Sequence, residues 1–320
     1  MFSKAKEVTL FCLSLLCSEH SVFVPIAGHV FERVDGFYKK LGNPVGVSCY
    51  KPCQSQGENY LHNYIGMLGI PLEPSPEFSK NSELLFLTAS AAADSEIVDK
   101  IKKRLINGKD VIVTSGFITS MKDSKIEDIV AFNYTGKKVF INKFAYETTE
   151  CSYGKYYEVS KKIMIPQIEY PTNDVWTTIA GISENNNFPI LAASKYGKGT
   201  IYVLTIPDDF GDLYYFPKEV LNPLRQVFAD GMSVSIDAES KVGLFVYDND
   251  TFIVQSFLPH NTIVDVRVKN SGVKLQKIDN RFEYINSNSR NIVEGTQTES
   301  GTTFKVKLKA GTFSAFKCVY

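Results

Sequence analysis

A chain of 320 residues is long enough for two domains of ordinary size, about 100–200 residues each. Hydrophobic residues make up 44% and charged residues 22% of it, a balance that excludes a disordered chain and implies a packed core. Thirty-five Lys and Arg offset thirty-five Asp and Glu, so the sequence offers no electrostatic footprint for nucleic acid or an anionic membrane surface.

The N-terminal segment, residues 1–40, has two readings. Val8 to Cys17 is an apolar run of signal-peptide length behind Lys4 and Lys6. Against a leader, Glu7 interrupts the charged region, and Glu19-His20 stand where small residues should mark cleavage. A cytoplasmic protein is therefore preferred over a secreted one. No run approaches the roughly 18 apolar residues of a membrane span.

From residue 44 strands and helices alternate. Val45 to Tyr50 reads as a buried strand, and Glu58 to Leu68 as a helix with Leu61, Tyr64, Ile65 and Leu68 on one face and Gly69 closing it. Leu84 to Thr88 is a second strand. Asp94 or Ser95 caps the next helix, whose stripe is Ile97, Val98, Ile101 and Leu105 and whose stop is Asn107-Gly108. Asp110 to Thr114 is a third strand, running through Ser115-Gly116 into another helix. Lys138–Ile141 and Gly199–Leu204 read as two more strands, and Pro217–Phe228 as a closing helix. Continuous apolar strands between amphipathic helices predict a parallel sheet covered on both faces. The expected fold of residues 41–232 is therefore an α/β domain of the flavodoxin-like kind.

Past Gly231 the hydrophobic period changes from 3.6 to 2. Val242–Tyr247, Thr251–Phe257, Thr262–Lys269, Val273–Ile278, Phe304–Leu308 and Phe313–Cys318 read as short strands, with Asp248-Asn249-Asp250 turning the first hairpin. Residues 233–320 are expected to form an antiparallel β-sandwich, with a loop from Asn286 to Gly301 rich in Asn, Ser, Thr and Gly.

Ligands of a parallel α/β sheet sit at the carboxyl ends of its strands. Those ends offer Cys49 and Tyr50, then Thr88 and Ser90, then Thr114, Ser115 and Gly116, and Asp208 and Asp209 beyond the last strand. None opens a Gly-rich phosphate loop, so no nucleotide or other cofactor is expected. Ser115 lies at a strand-to-helix turn, but a G-x-S-x-G elbow would place glycines where Val113 and Phe117 stand. Cys49, Glu58 and His62 supply the residue types of a Cys-His-Glu triad, although a spacing of four explains Glu58 and His62 as a pair on a helix surface. Cys49 and Cys53 lack a second ligand pair at zinc spacing, and the four histidines are scattered. A glycosidase (β/α)₈ barrel needs eight βα units over about 250 residues, and this chain supplies roughly five. Trp176, Tyr196, Tyr214 and Tyr215 have faces that can stack on sugars, while packing explains them as well.

Gly42-Asn43-Pro44-Val45-Gly46-Val47, the segment Asn63 to Pro71, and Ala193 to Phe210 with its Tyr196-Gly197-Lys198-Gly199-Thr200 turn carry a resemblance. Together they resemble the trimerisation domain that follows the barrel in bacterial β-galactosidases, a domain similar to class I glutamine amidotransferases. Leu308 to Phe313 resembles the end of the small β domain that terminates such enzymes. In amidotransferases the turn after the third strand carries a cysteine; the matching turn here carries Ser115 without the flanking glycines. The resemblance places the catalytic carboxylates in a barrel for which this chain has no room, so no catalytic residue is carried over; it implies that residues 1–40 are the remnant of such a barrel's last βα unit, with Val8–Leu13 as strand and Val30–Leu41 as helix, in preference to a leader. It implies a non-catalytic accessory or assembly module of a carbohydrate-active protein, partnered by a glycosidase barrel domain or by further copies of itself. The aromatic run Phe210–Phe216 is the surface expected to need covering in self-association. The alternative is a stand-alone hydrolase using the strand-end cleft through Ser115 or Cys49.

Overall fold

The computed structural model describes residues 2–4, 18, 22–122, 124–146, 155–170, 173–184, 186–278, 292–298 and 301–320. The expected strand Val8–Leu13 and the 286–291 part of the Asn286–Gly301 loop lie outside them. In chain order the first part contains α1 (Phe23–Tyr38), β1 (Pro44–Val45), β2 (Val47–Tyr50), α2 (Leu61–Gly66), β3 (Leu72–Ser75), β4 (Leu84–Leu87), α3 (Ile97–Ile106), β5 (Asp110–Thr114) and α4 (Ser115–Ser120). There follow β6 (Asn133–Tyr146), β7 (Tyr156–Glu169), β8 (Val175–Ser183), β9 (Asn186–Tyr196), β10 (Gly199–Leu204) and α5 (Lys218–Phe228).

Five of these strands run parallel in the order β3-β2-β4-β5-β10. Successive residues of a strand point to opposite faces, and β4 shows the consequence. Leu84 and Phe86 pack with Leu61 and Ile65 of α2 and with Val220, Leu221, Leu224 and Phe228 of α5. Leu85 and Leu87 pack instead with Ile97, Ile101 and Leu105 of α3 and with Phe117 and Ile118 of α4. Burial of both faces is why β4 and β5 read as unbroken apolar runs, whereas the edge strand β3 has no buried residue.

Three expectations are corrected. Lys138–Ile141 is no parallel strand; it belongs to β6, which with β7, β8 and β9 forms an antiparallel arm that continues the sheet as β10-β9-β8-β6-β7. Most residues of β6 and β7 are exposed or half-buried, Phe140 among the exposed, so neither reads as a fully buried strand. The helix expected from Glu58 begins only at Leu61, because Gly57, Glu58 and Tyr60 have φ of +113°, +49° and +67°, a left-handed run that no helix continues. The strand expected over Val45–Tyr50 breaks at Gly46, where a Cβ would come 2.8 Å from the Leu72 backbone; β1 crosses to the sandwich and β2 stays in the large sheet.

After α5 the chain forms β11 (Val234–Asp237), β12 (Val242–Tyr247), β13 (Thr251–Ser256), β14 (Thr262–Val268), β15 (Lys274–Lys277), β16 (Ile292–Val293), β17 (Thr296–Thr298), β18 (Gly301–Leu308) and β19 (Phe313–Val319). They make two antiparallel sheets, β1-β12-β13-β19-β15-β16 and β11-β14-β18-β17, around one core that includes Val234, Phe252, Val264, Phe304 and Phe316. All six expected strands are present; β11, β16 and β17 were too short or too polar to read. Asp250 turns the first hairpin at φ +62°, the left-handed position that three-residue loops require.

Helix α1 begins at Phe23, before the expected Val30. It lies on the outer face of the sandwich, with Val34 and Phe37 packed with Tyr247, Ile253, Phe313 and Ala315. Its first turns expose Phe23 by 61% and Ile26 by 54%.

The two parts meet at Arg225 of α5. Its buried guanidinium donates from Nε to the Leu68 carbonyl at 2.6 Å, from Nη1 to the Ala238 carbonyl at 2.6 Å, and from Nη2 to the Glu239 carbonyl at 3.1 Å. Burial lowers its pKa to about 10, still far above neutrality, so the cation persists. Arg225→Leu leaves those three carbonyls without their donors, at about 1–3 kcal/mol for each buried group. Urea unfolding of this variant is expected to show a loss of about 3 kcal/mol or more, and a loss below about 1 kcal/mol would contradict the joint's role.

Candidate functional site

Open parallel sheets bind ligands at the carboxyl ends of strands, in the crevice where strand order reverses. Here the reversal falls between β2 and β4. The loop that leaves β2 turns back at this point through Gln54, Gly57, Glu58 and Tyr60, all with positive φ, and inserts the Glu58 carboxylate over the strand ends. Thr114 Oγ1 donates to Glu58 Oε2 at 2.5 Å and the Ala89 amide donates to the same oxygen at 2.7 Å; the Gly116 amide is a third donor. A Cβ on Gly116 would fall 2.3 Å from Glu58 Oε1, so this position is glycine because Glu58 occupies the space. Burial pushes the Glu58 carboxyl above the ordinary glutamate range, while the three hydrogen bonds pull the other way.

The expected site residues do not converge on a reactive group. Thr114 and Gly116 join Glu58. Thr114 Oγ1 also caps α4 by accepting from the Phe117 amide at 3.0 Å. Ser115 is buried, and its Oγ accepts from the Ile206 amide at 3.0 Å, which directs it into the sheet. Cys49 is buried on the α2 and α5 face, where its Sγ donates to the Val47 carbonyl at 3.3 Å, and burial pushes the thiol far up. Tyr50 lies on the opposite face and donates to Asp94 Oδ2 at 2.8 Å. Beyond β10, Asp208 pairs with Lys138 at 2.5 Å, and Asp209 Oδ1 accepts from the Gly211 amide at 2.8 Å.

The Cys-His-Glu arrangement is not formed, since Glu58 is directed to Thr114, Ala89 and Gly116. His62 stands edge-on to Phe86 with ring centroids 5.9 Å apart. Its Nε2 is buried without a hydrogen-bond partner among the described residues, and burial lowers its pKa to about 4, which leaves it neutral. The role of Glu58 was missed in the sequence because it depends on left-handed backbone that only Gly57 announces.

The aromatic run Phe210–Phe216 is largely covered within the chain. Phe216 packs on Phe144 with centroids 4.6 Å apart and Tyr214 stacks on Tyr64 at 5.5 Å, leaving Tyr215 45% exposed. The run therefore does not provide the bare apolar surface that self-association through it required. Among the described residues no group of three or more His, Cys, Asp and Glu is placed to hold a metal, and no helix is long and apolar enough to cross a membrane.

A family model described as "Uncharacterized protein SSO3021, second domain" matches residues 42–209, more than half of the chain. The chain belongs to that family. Residues 233–318 match a second model, "Probable glycosyl hydrolase, C-terminal domain". Among curated proteins, no sequence matches. The fold superposes on Gan42B, a GH42 β-galactosidase of G. stearothermophilus, with a TM-score of 0.52 at 12% identity, covering 93% of this chain and 44% of that one. The β-galactosidase of Bacillus circulans sp. alkalophilus aligns over 95% of this chain and 46% of its own at 9% identity, with a TM-score of 0.49. The chain thus spans under half the length of these enzymes. The match over residues 233–318 and the fold likeness to Gan42B agree with the β-galactosidase-type resemblance of the sequence.

The raised pKa of Glu58 has a defined sign. The fold favours the protonated carboxyl, so this group's contribution to stability is fullest below the unfolded pKa and declines as pH rises through it towards the folded value. Glu58→Gln keeps the shape and removes the titration. The unfolding free energy of the parent minus that of Glu58→Gln is expected to fall as pH rises from about 4. A difference that grew with pH would show the hydrogen bonds outweighing burial.

Proposed function

We propose that this chain is a non-catalytic accessory module of a glycosidase-type protein, serving domain packing or assembly rather than bond cleavage. One observation carries the reading: the strand-end crevice is occupied by the chain's own Glu58 carboxylate. The candidate nucleophiles agree with it, since Ser115 and Cys49 are buried and hydrogen-bonded away from any base. The five parallel strands, taken in order of appearance, run 2-1-3-4-5 across the sheet. That is the flavodoxin-like order, and it supports an amidotransferase-like domain over residues 41–232 followed by a β-sandwich domain over 233–320. A packing role is supported by α1, whose Phe23, Val24 and Ile26 are exposed on one short stretch and present the kind of apolar surface that marks an interaction site.

The purified chain is expected to turn over neither aryl-glycosides nor glutamine. Turnover that Ser115→Ala or Cys49→Ala abolishes would overturn the reading in favour of a stand-alone hydrolase. For the packing role, sedimentation should detect concentration-dependent association that Phe23→Glu with Ile26→Glu removes. A parent chain that stays monomeric at high micromolar concentration would exclude self-assembly through α1. Limited proteolysis is expected to cut between residues 229 and 241, and a stable fragment ending inside 45–205 would contradict the proposed boundary.

A further inference from the structure

The antiparallel arm holds an open trough of about 530 Å³, within the roughly 300–1,000 Å³ of small-molecule sites. Its shape follows from a bend. Tyr156 opens β7 and Gln167 lies near its end, yet both line the trough. The β6–β7 pairing slips register between Tyr134 and Lys138 and again between Ile141 and Lys143. Such irregularities bend a hairpin and increase its twist, which brings the two ends of β7 towards each other. Tyr170 and Thr177, joined through their hydroxyls at 2.9 Å, fix the wall beside Gln167.

The lining restricts the ligand. Tyr146, Tyr156 and Phe188 supply aromatic surface, and the side chains of Gln167, Glu169 and Asn187 enter none of the hydrogen bonds or ion pairs among the described residues. Among the described residues no Lys, Arg or His lines the trough, and Glu169 is the one charged group there. An anionic ligand would therefore meet a carboxylate with no balancing cation. A purely apolar ligand would bury amide and carboxylate groups without partners. A neutral pyranose satisfies both constraints, since its C–H face stacks on an aromatic ring and its hydroxyls take the amide and carboxylate hydrogen bonds.

We propose that this trough is a saccharide-binding site for a neutral mono- or disaccharide unit, formed by Tyr146, Tyr156, Gln167, Glu169, Asn187 and Phe188. The proposal goes beyond the packing role and does not depend on whether the strand-end crevice is catalytic. Lactose, galactobiose, cellobiose, xylobiose and mannobiose, titrated into the full chain by calorimetry with saturation-transfer NMR, test it. At least one should bind saturably. Tyr156→Ala and Gln167→Ala should each weaken that binding by about tenfold or more, while Tyr215→Ala, an exposed aromatic away from the trough, leaves it unchanged. Tyr156 is 65% exposed, so its variant keeps the fold, as an unchanged thermal melt will show. Failure of every sugar to saturate at millimolar concentration, or binding indifferent to both trough variants, overturns the site. Hydrolysis of a bound sugar would count against the non-catalytic reading and leave the site standing.

Discussion

A carboxylate placed over the ends of parallel strands normally has two fates, to meet a ligand or to be solvated. Glu58 has neither, because the Thr114 hydroxyl and the Ala89 and Gly116 amides hold it inside the protein. That single placement organises the crevice. It requires glycine at 116, where any side chain would strike the carboxylate, and it requires left-handed backbone at Glu58 itself. It also engages the Thr114 hydroxyl that caps α4. A sheet whose order reverses at this point would otherwise leave backbone donors open to a bound anion. The chain supplies that anion from its own sequence.

The rest of the architecture follows from where apolar area must be covered. Strands β2, β4, β5 and β10 are buried on both faces by helices, so they tolerate no polar alternation. Parts of the arm and of the sandwich are wetter, and β14 and β18 alternate buried with less buried residues. The junction between the parallel-sheet part and the sandwich is polar at its centre, with the Arg225 guanidinium answering three carbonyls just after α2 and at the start of the sandwich. Planar Arg has donors enough for that geometry, whereas a single ammonium lacks the fixed fork.

This contrast explains what the sequence disclosed. Unbroken runs such as Leu84–Leu87 and Val111–Val113 announced the parallel strands, and the alternation in Thr262–Val268 announced the sandwich. The arm was read only at Lys138–Ile141 and taken for a parallel strand of the sheet it extends, since its length and direction depend on pairing between distant residues rather than on local pattern. At the crevice, Thr114, Ser115 and Gly116 were found from their place at a strand-to-helix turn. Their chemistry was not legible, because Glu58 reaches them from 56 residues away through backbone conformations that composition does not encode. The polar lining of the arm's trough was hidden for the same reason, with Tyr156 and Gln167 joined by a bend.

The account's central claim is that folding buries the strand-end groups which an enzyme would leave reactive. Mass-spectrometric mapping of adducts after treating the native protein with a fluorophosphonate and N-ethylmaleimide tests it most directly. Cys53 is exposed and Cys49 buried, which provides an internal control. The account predicts modification at Cys53, none at Cys49 or Ser115 in the folded state, and modification of Cys49 once the protein is unfolded. A fluorophosphonate adduct on Ser115 of the native protein would contradict it.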